Sequence, residues 1–382
     1  MTKKTLLDGN ASAAWGARLS RVQVVPNFPI TPQTEIIETI AKWVSDGVFK
    51  TEFLRAESEH SVMSAAVAAS ATGARVFTAS SSQGLLLMHE VLYIASGMRL
   101  PIVMVNVSRG LSAPITLWPD HNDILDQRDS GWLMFFSETN QEVLDSVIML
   151  YKICESRNVL LPAFINMDGF YQSYTREPVV IPDQKKVDKF LPPRKAKVVL
   201  DPEKPMAQGV GVMEEYPYFR EQVHLAHKNA LKVIEEVSKD WGKMFGRKYD
   251  LVESYMMDDA DACLISIGAN TTIAKAAVKK MRDEGKKIGL LRIRVFRPFP
   301  KDLLRKLVEN VKAVGVIDQN VAPGSGGILF HEIRSALYGK GISISNFICA
   351  LGGRPISINE YTQFANYVLR SADTKESKIF FQ

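Results

Sequence analysis

Between about residue 20 and residue 170, short continuous apolar runs alternate with stretches in which apolar positions recur every three or four residues. The runs from Val22 to Val25, Arg75 to Ala79, Pro101 to Val107 and Pro162 to Met167 predict strands. The stretches from Pro32 to Ser45, Glu59 to Thr72 and Gly84 to Gly97 predict helices, the last with Leu86, Leu87, Val91 and Ile94 on one face. Pro32 suits an early helical position, where its missing N–H would have had no partner. Strands that are apolar throughout, rather than at alternate positions, are covered on both faces. With helices between them they predict a parallel α/β sheet.

The pattern then changes. Seven prolines fall from Pro178 to Pro217 among Lys, Asp and Gln, which reads as a linker. An amphipathic helix is predicted from Phe219 to Phe245, with Val223, Ala226, Ala230, Ile234, Val237 and Trp241 as its apolar stripe. A second α/β unit follows: strands from Ala262 to Ile267, Ile288 to Val295, Ala313 to Ile317 and Ile342 to Ala350, with helices between them. One of those helices is predicted to open at the Gly324-Ser325-Gly326-Gly327 turn. The expected division is residues 1–175, a linker and long helix over 176–255, and residues 256–382.

Composition narrows the function. A chain of 382 residues exceeds one typical domain. A net charge of +5, with 47 basic and 42 acidic residues intermixed, lacks the footprint of a nucleic-acid binder. No apolar stretch has the length of a membrane span. Cys154, Cys263 and Cys349 are too scattered for ligand pairs, so a cytoplasmic location without disulfides, zinc or iron–sulfur clusters in this chain is expected.

Five short segments could carry chemistry. Phe28-Pro29-Ile30-Thr31-Pro32 joins the first strand to its helix, where open α/β sheets bind ligands; Thr31 there is either a ligand hydroxyl or a helix cap. Glu59, after Glu57 and Ser58, starts a helix of Ser and Ala. It is either a functional carboxylate or a complement to the helix dipole. Ser80-Ser81-Ser82-Gln83-Gly84 suits an anion or, more simply, a cap. Arg109 follows a strand and could fork onto a carboxylate or lie on the surface. Asp120-His121-Asn122-Asp123 resembles a metal cluster, although hydrogen bonding within a loop explains it better.

The order of these segments is more specific than any one of them. FPITPQTE, RAESEHSVMSAAVAASATGAR, TASSSQGLLLMHE, ASGMRLPIVMV, LSAPITLWPDHND, RDSGW and DGF occur in series, with RPFP and VIDQNVAPGSGGILFHEI later. This series resembles the alpha subunit of the pyruvate and related 2-oxoacid:ferredoxin (acceptor) oxidoreductases, over nearly the whole chain. The resemblance implies two open parallel-sheet α/β domains: a thiamine diphosphate pyrimidine-binding-like domain, then a transketolase C-terminal-like domain. It implies that thiamine diphosphate is shared with a beta subunit. Glu59 would bond the pyrimidine ring nitrogen, Pro29 and Ile30 would border the cofactor, and Thr31 and Arg109 would hold the substrate.

Mg2+ and 4Fe–4S clusters would lie on partners, namely the beta subunit and gamma and ferredoxin-like delta subunits. Coenzyme A would take the acyl group, and ferredoxin or another acceptor the electrons. The diphosphate motif of thiamine enzymes is missing; Asp168-Gly169-Phe170 lacks its leading glycine. Phe28 and Asn122 replace the family's Tyr and Gln near the expected substrate pocket. Pyruvate is the default substrate, and phenylglyoxylate or a branched 2-oxoacid remains open. Trp118 is expected in the core. A beta-subunit-like component of a 2-oxoacid dehydrogenase complex, or a transketolase relative, is the alternative. A nicotinamide-binding enzyme is disfavoured, because Gly209-Val210-Gly211-Val212 falls in the linker and Gly324–Gly327 has the wrong spacing.

Overall fold

The computed structural model of the chain describes residues 3–374 and 378–382. The first unit contributes β1 (Lys3–Leu7), β2 (Val24–Asn27), β3 (Glu52–Arg55), β4 (Phe77–Ser80), β5 (Val103–Ser108), β6 (Leu133–Phe136), β7 (Ala163–Asp168) and β8 (Glu177–Ile181). The second contributes β9 (Val252–Tyr255), β10 (Ala262–Ser266), β11 (Ile288–Ile293), β12 (Val295–Arg297), β13 (Ala313–Asp318), β14 (Ser343–Ile348) and β15 (Ile379–Phe381). Among the described residues one sheet runs β12-β6-β7-β5-β4 and the other β15-β14-β13-β10-β11-β9. Neighbours within each sheet are parallel except the β12–β6 and β9–β11 pairs. The parallel pair β2–β3 adjoins β4 through a bridge from Val24 to Val76.

The continuous apolar runs become strands for the expected reason. Every residue of β5, β6 and β7 is buried, with helices on both faces. The helix Asn140–Cys154 left no stripe in the sequence because it is buried nearly all round. The apolar stripe of the long helix, observed as Glu215–Phe245, is buried as predicted. It packs on the first unit, where Trp241 stacks on Phe245 and its Nε1 donates to Asp145 (3.3 Å).

Three expected elements differ. The run from Ile288 to Val295 divides between the two sheets. The polar residues within it cause the switch: buried Arg292 and Arg294 both bind Glu142 of the first unit, at 2.9 and 2.7 Å. The segment starting at Pro178 is partly structured, since β8 pairs antiparallel with β1 and Pro178 stands opposite Leu6. A two-stranded edge tolerates a proline that a central strand would not. The helix from Gly84 to Gly97 is two, Ser82–Leu87 and His89–Gly97; at Met88 the N–H is shared between the Gly84 and Leu85 carbonyls.

The carboxyl ends of the two sheets meet at a buried polar seam. His121 Nε2 lies 2.7 Å from Asp168 Oδ1, and Asp168 Oδ2 accepts from Ala269 N (3.1 Å). His121 N donates to Gln319 O, and the Asn122 amide both donates to and accepts from the Val321 backbone. The Glu142 ion pairs tie the same two units together on the flank. The first sheet's binding edge is therefore held by contacts from the second.

Candidate functional site

Parallel sheets place ligands at their carboxyl ends, and three loops converge there in the first unit. Ser58 caps the helix Glu59–Ala71 by accepting from Ser61 N, which places Glu59 in its first turn. Only 6% of Glu59 is exposed, and burial raises its carboxyl above the ordinary range; its own backbone N–H opposes the shift. Among the described residues no other side chain or backbone group bonds this carboxylate. It rests against Gly84, where an added Cβ would collide with Glu59 Oε1 and lie 2.7 Å from Ser80 Oγ. In the same turn as Gly84, Ser80 Oγ, Ser81 Oγ and Gln83 Nε2 are buried without a partner among the described residues. A carboxylate so placed has lone pairs available to a ligand donor.

The second group is Thr31 with Arg109. Arg109 is 7% exposed, so it is no surface arginine. Its Nη1 donates to Thr31 O (3.0 Å) and its Nε to Thr116 O (2.9 Å). Nη2 has no partner among the described residues. The helix after Thr31 begins at Thr34 with Gln33 at its cap, so Thr31 is not the cap, and its hydroxyl makes no bond among the described residues. Pro29 is exposed and Ile30 half-buried in the same loop. Gly169 lets these loops close up: a Cβ there would lie 2.6 Å from Ser108 O and 2.9 Å from the Pro32 ring.

Several expectations need correction. Ser81 stands at the helix cap but makes no side-chain cap bond, and the N–H of Ser82 goes to Asp123, so the serine turn neither caps by side chain nor offers that donor to an anion. The segment from Asp120 to Asp123 bonds far beyond its own loop. Asp120 Oδ2 accepts from Gly352 N, His121 meets Asp168, and Asn122 is committed to Val321 rather than to a substrate pocket. Among the described residues no group of acidic, His or Cys side chains could hold a metal ion. Trp118 is 47% exposed rather than in the core. Its ring packs on Phe170 (4.5 Å between centroids) at a loop that protrudes from the strand ends. Phe28 is half-buried against the core.

Two participants went unread in the sequence. Gly84 was legible only as a helix residue, and Asp123 only as part of an apparent cluster. The apolar Ile124 and Leu125 beside Asp123 were the signal that its carboxylate is buried.

In the second unit Asp318 closes β13 and sits at the start of the helix Ile328–Ala336. It accepts from Asn320 Nδ2 (2.8 Å), Leu329 N (3.0 Å), Phe330 N (3.1 Å) and Asn346 Nδ2 (2.7 Å). Burial raises its carboxyl to about 6. The glycine-rich turn before this helix is thus filled by the chain's own carboxylate, which leaves no anion site for a dinucleotide.

Residues 15–239 match the family described as pyruvate flavodoxin/ferredoxin oxidoreductase, thiamine diphosphate-binding, and residues 260–361 match pyruvate:ferredoxin oxidoreductase core domain II. Pyruvate synthase subunit PorA of Methanocaldococcus jannaschii is 45% identical over 98% of this chain and 97% of its own. Ketoisovalerate oxidoreductase subunit VorA of Pyrococcus horikoshii is 45% identical over 95% of this chain and 93% of its own. Among solved structures, the 2-oxoglutarate:ferredoxin oxidoreductase from Magnetococcus marinus, with 2-oxoglutarate, coenzyme A and succinyl-CoA bound, aligns with a TM-score of 0.74 at 20% identity. That alignment covers 97% of this chain and 65% of the other. A split-gene transketolase aligns at 0.56 and 13% identity over 94% and 97% of the two chains.

Proposed function

Because the chain belongs to the pyruvate flavodoxin/ferredoxin oxidoreductase family, we propose that it is the alpha subunit of a 2-oxoacid:acceptor oxidoreductase and supplies the pyrimidine side of a shared thiamine diphosphate site. The observation that carries this reading is the Glu59 carboxylate: buried, raised in pKa by burial, lodged against Gly84 and, among the described residues, bonded only by its own amide. These residues fit an aminopyrimidine. A protonated ring nitrogen needs one acceptor in a dry cleft, and the adjacent unpartnered Ser80, Ser81 and Gln83 atoms suit a polar heterocycle. Thiamine diphosphate, when bound, supplies the nucleophilic carbon that takes up a 2-oxoacid and allows carbon dioxide to leave.

The chain's own residues have narrower tasks. Glu59 holds a proton at the ring nitrogen. The free Thr31 hydroxyl and Arg109 Nη2 receive the carboxylate and carbonyl oxygens of a small 2-oxoacid, and Pro29 and Ile30 border the cofactor. The family's diphosphate motif is missing from this sequence, so the diphosphate end, Mg2+ and the 4Fe–4S clusters belong to beta, gamma and delta partners or their equivalents. Coenzyme A then takes the acyl group, and ferredoxin or another acceptor the electrons. Relatives named for pyruvate and for ketoisovalerate stand at equal identity, so substrate choice falls between a methyl and a branched side chain.

Purification of the tagged chain with its partners without oxygen, then 2-oxoacid-dependent viologen reduction with and without coenzyme A, tests the reading. Reduction that requires coenzyme A with one 2-oxoacid is expected. An intact, thiamine-loaded complex that reduces nothing across the panel would sink it.

A further inference from the structure

Asp123 is fully buried, and its carboxylate reaches from its own helix to two strand ends. One oxygen, Oδ2, accepts from Ser82 N after β4 (2.9 Å), Arg109 N after β5 (3.2 Å) and Asn106 Nδ2 within β5 (3.2 Å). The other accepts from Ile124 N (2.7 Å). Ser82 has φ +49°, a left-handed backbone that costs a non-glycine residue free energy unless its surroundings enforce it. The enforcing contacts are this bond to Asp123 and a second from Ser82 Oγ to Gly110 O (2.9 Å). Two residues later comes Gly84, against which Glu59 rests. One carboxylate therefore spans from the turn that seats Glu59 to the backbone that carries Arg109.

We propose that Asp123 is a positioning residue that fixes the cofactor-side and substrate-side groups in one frame, so that neither moves without the other. The inference rests on the roles proposed above for Glu59 and Arg109. A mere cap would serve its own helix alone; besides Ile124 N, Asp123 bonds the two loops that hold the groups proposed to face ligands.

Alanine in its place removes both acceptor oxygens, so the Ser82 and Arg109 N–H groups lose the acceptor they share. In the intact complex, freed of cofactor, two quantities are measured: thiamine diphosphate affinity by titration calorimetry, and KM for the 2-oxoacid after reloading. Asp123→Ala is expected to weaken both by about tenfold, the scale of a lost hydrogen bond to a charged group. Arg109→Lys is expected to raise KM alone, and Glu59→Gln to weaken cofactor binding and turnover without raising KM.

Should Asp123→Ala fail to assemble, Asn106→Ala gives the same paired readout in milder form, because it removes the side-chain donor that helps hold the Asp123 carboxylate between the two loops. A shift in one quantity only, or in neither, overturns the coupling. If Glu59→Gln and Arg109→Lys leave their own readouts unchanged, the roles of those groups fail instead, and the two failures are told apart.

Discussion

Glu59 opens its helix and Asp318 closes a strand, yet the fold gives them a similar setting. Each is a buried carboxylate at the start of a helix, each follows from an α/β unit's strand end, and each lies against a glycine whose Cβ would collide with it, Gly84 and Gly327. They differ in saturation. Asp318 accepts four hydrogen bonds from its own chain, while Glu59 accepts none among the described residues beyond its own amide. A saturated buried carboxylate is a structural joint, since its desolvation is offset within the fold. An unsaturated one costs stability in the free chain and is retained where a ligand completes it. The same contrast separates the orphaned Ser80 and Ser81 hydroxyls from the fully bonded Asn346 amide.

The sharpest break of this comparison is Glu59→Gln. If the proton at the pyrimidine is its task, turnover of the assembled complex falls by about a thousandfold, while thermal unfolding barely moves. Asp318→Asn should do the opposite. It swaps one acceptor for a donor among four donors, so the chain loses about 3 kcal/mol of stability, with cofactor affinity unchanged in whatever fraction folds. Thermal melts and cofactor titrations on both variants form a crossed test: matching profiles for the two would erase the distinction between joint and site.

Gly84→Ala sharpens the comparison from the side of the cradle. The new Cβ overlaps Glu59 Oε1, so either the carboxylate moves or the turn does, at about 2 kcal/mol for an overpacked methyl. Displacement of the carboxylate would appear as weaker cofactor binding with little change in melting temperature. A loss of stability with unaltered cofactor affinity would mean that the turn yielded and that Glu59 needs no such seat.

The contrast also marks how far a sequence can be read. The parallel strands were legible because burial on both faces makes them continuously apolar, and the stripe from Val223 to Trp241 because one face of that helix stays wet. The helix Asn140–Cys154 was illegible for the converse reason: burial all round removes the period. Glu59, Thr31 and Arg109 stood out only as candidates at strand ends and helix starts, each with a plainer reading beside it, and the roles proposed for them come from the family resemblance. Gly84 and Asp123 did not stand out, because their importance lies in partners far off in sequence, at Glu59 and at Ser82 and Arg109. The excursion of β12 into the first sheet is another such case. It depends on Arg292 and Arg294 finding Glu142, a pairing that no local pattern encodes.

The smallest expected effect concerns protons. Burial raises the Glu59 carboxyl, so the free site keeps its proton to higher pH than an exposed glutamate would. If the bound cofactor shares that proton, binding retains what the free site surrenders once the pH climbs past the raised pKa. Affinity is then flat below that point and falls above it, by at most about tenfold per pH unit for one proton. Glutamine carries no such proton, so its titration should lack this component. Ionisations of the ligand and of the partner subunits are common to both proteins and cancel in the difference. Calorimetric titration of the cofactor-free complex, wild type and Glu59→Gln, from mildly acid to mildly alkaline pH reads that difference directly. A wild-type advantage over Glu59→Gln that shrinks as pH rises places the proton on Glu59; parallel curves place it elsewhere and leave the unsaturated carboxylate without a role in proton sharing.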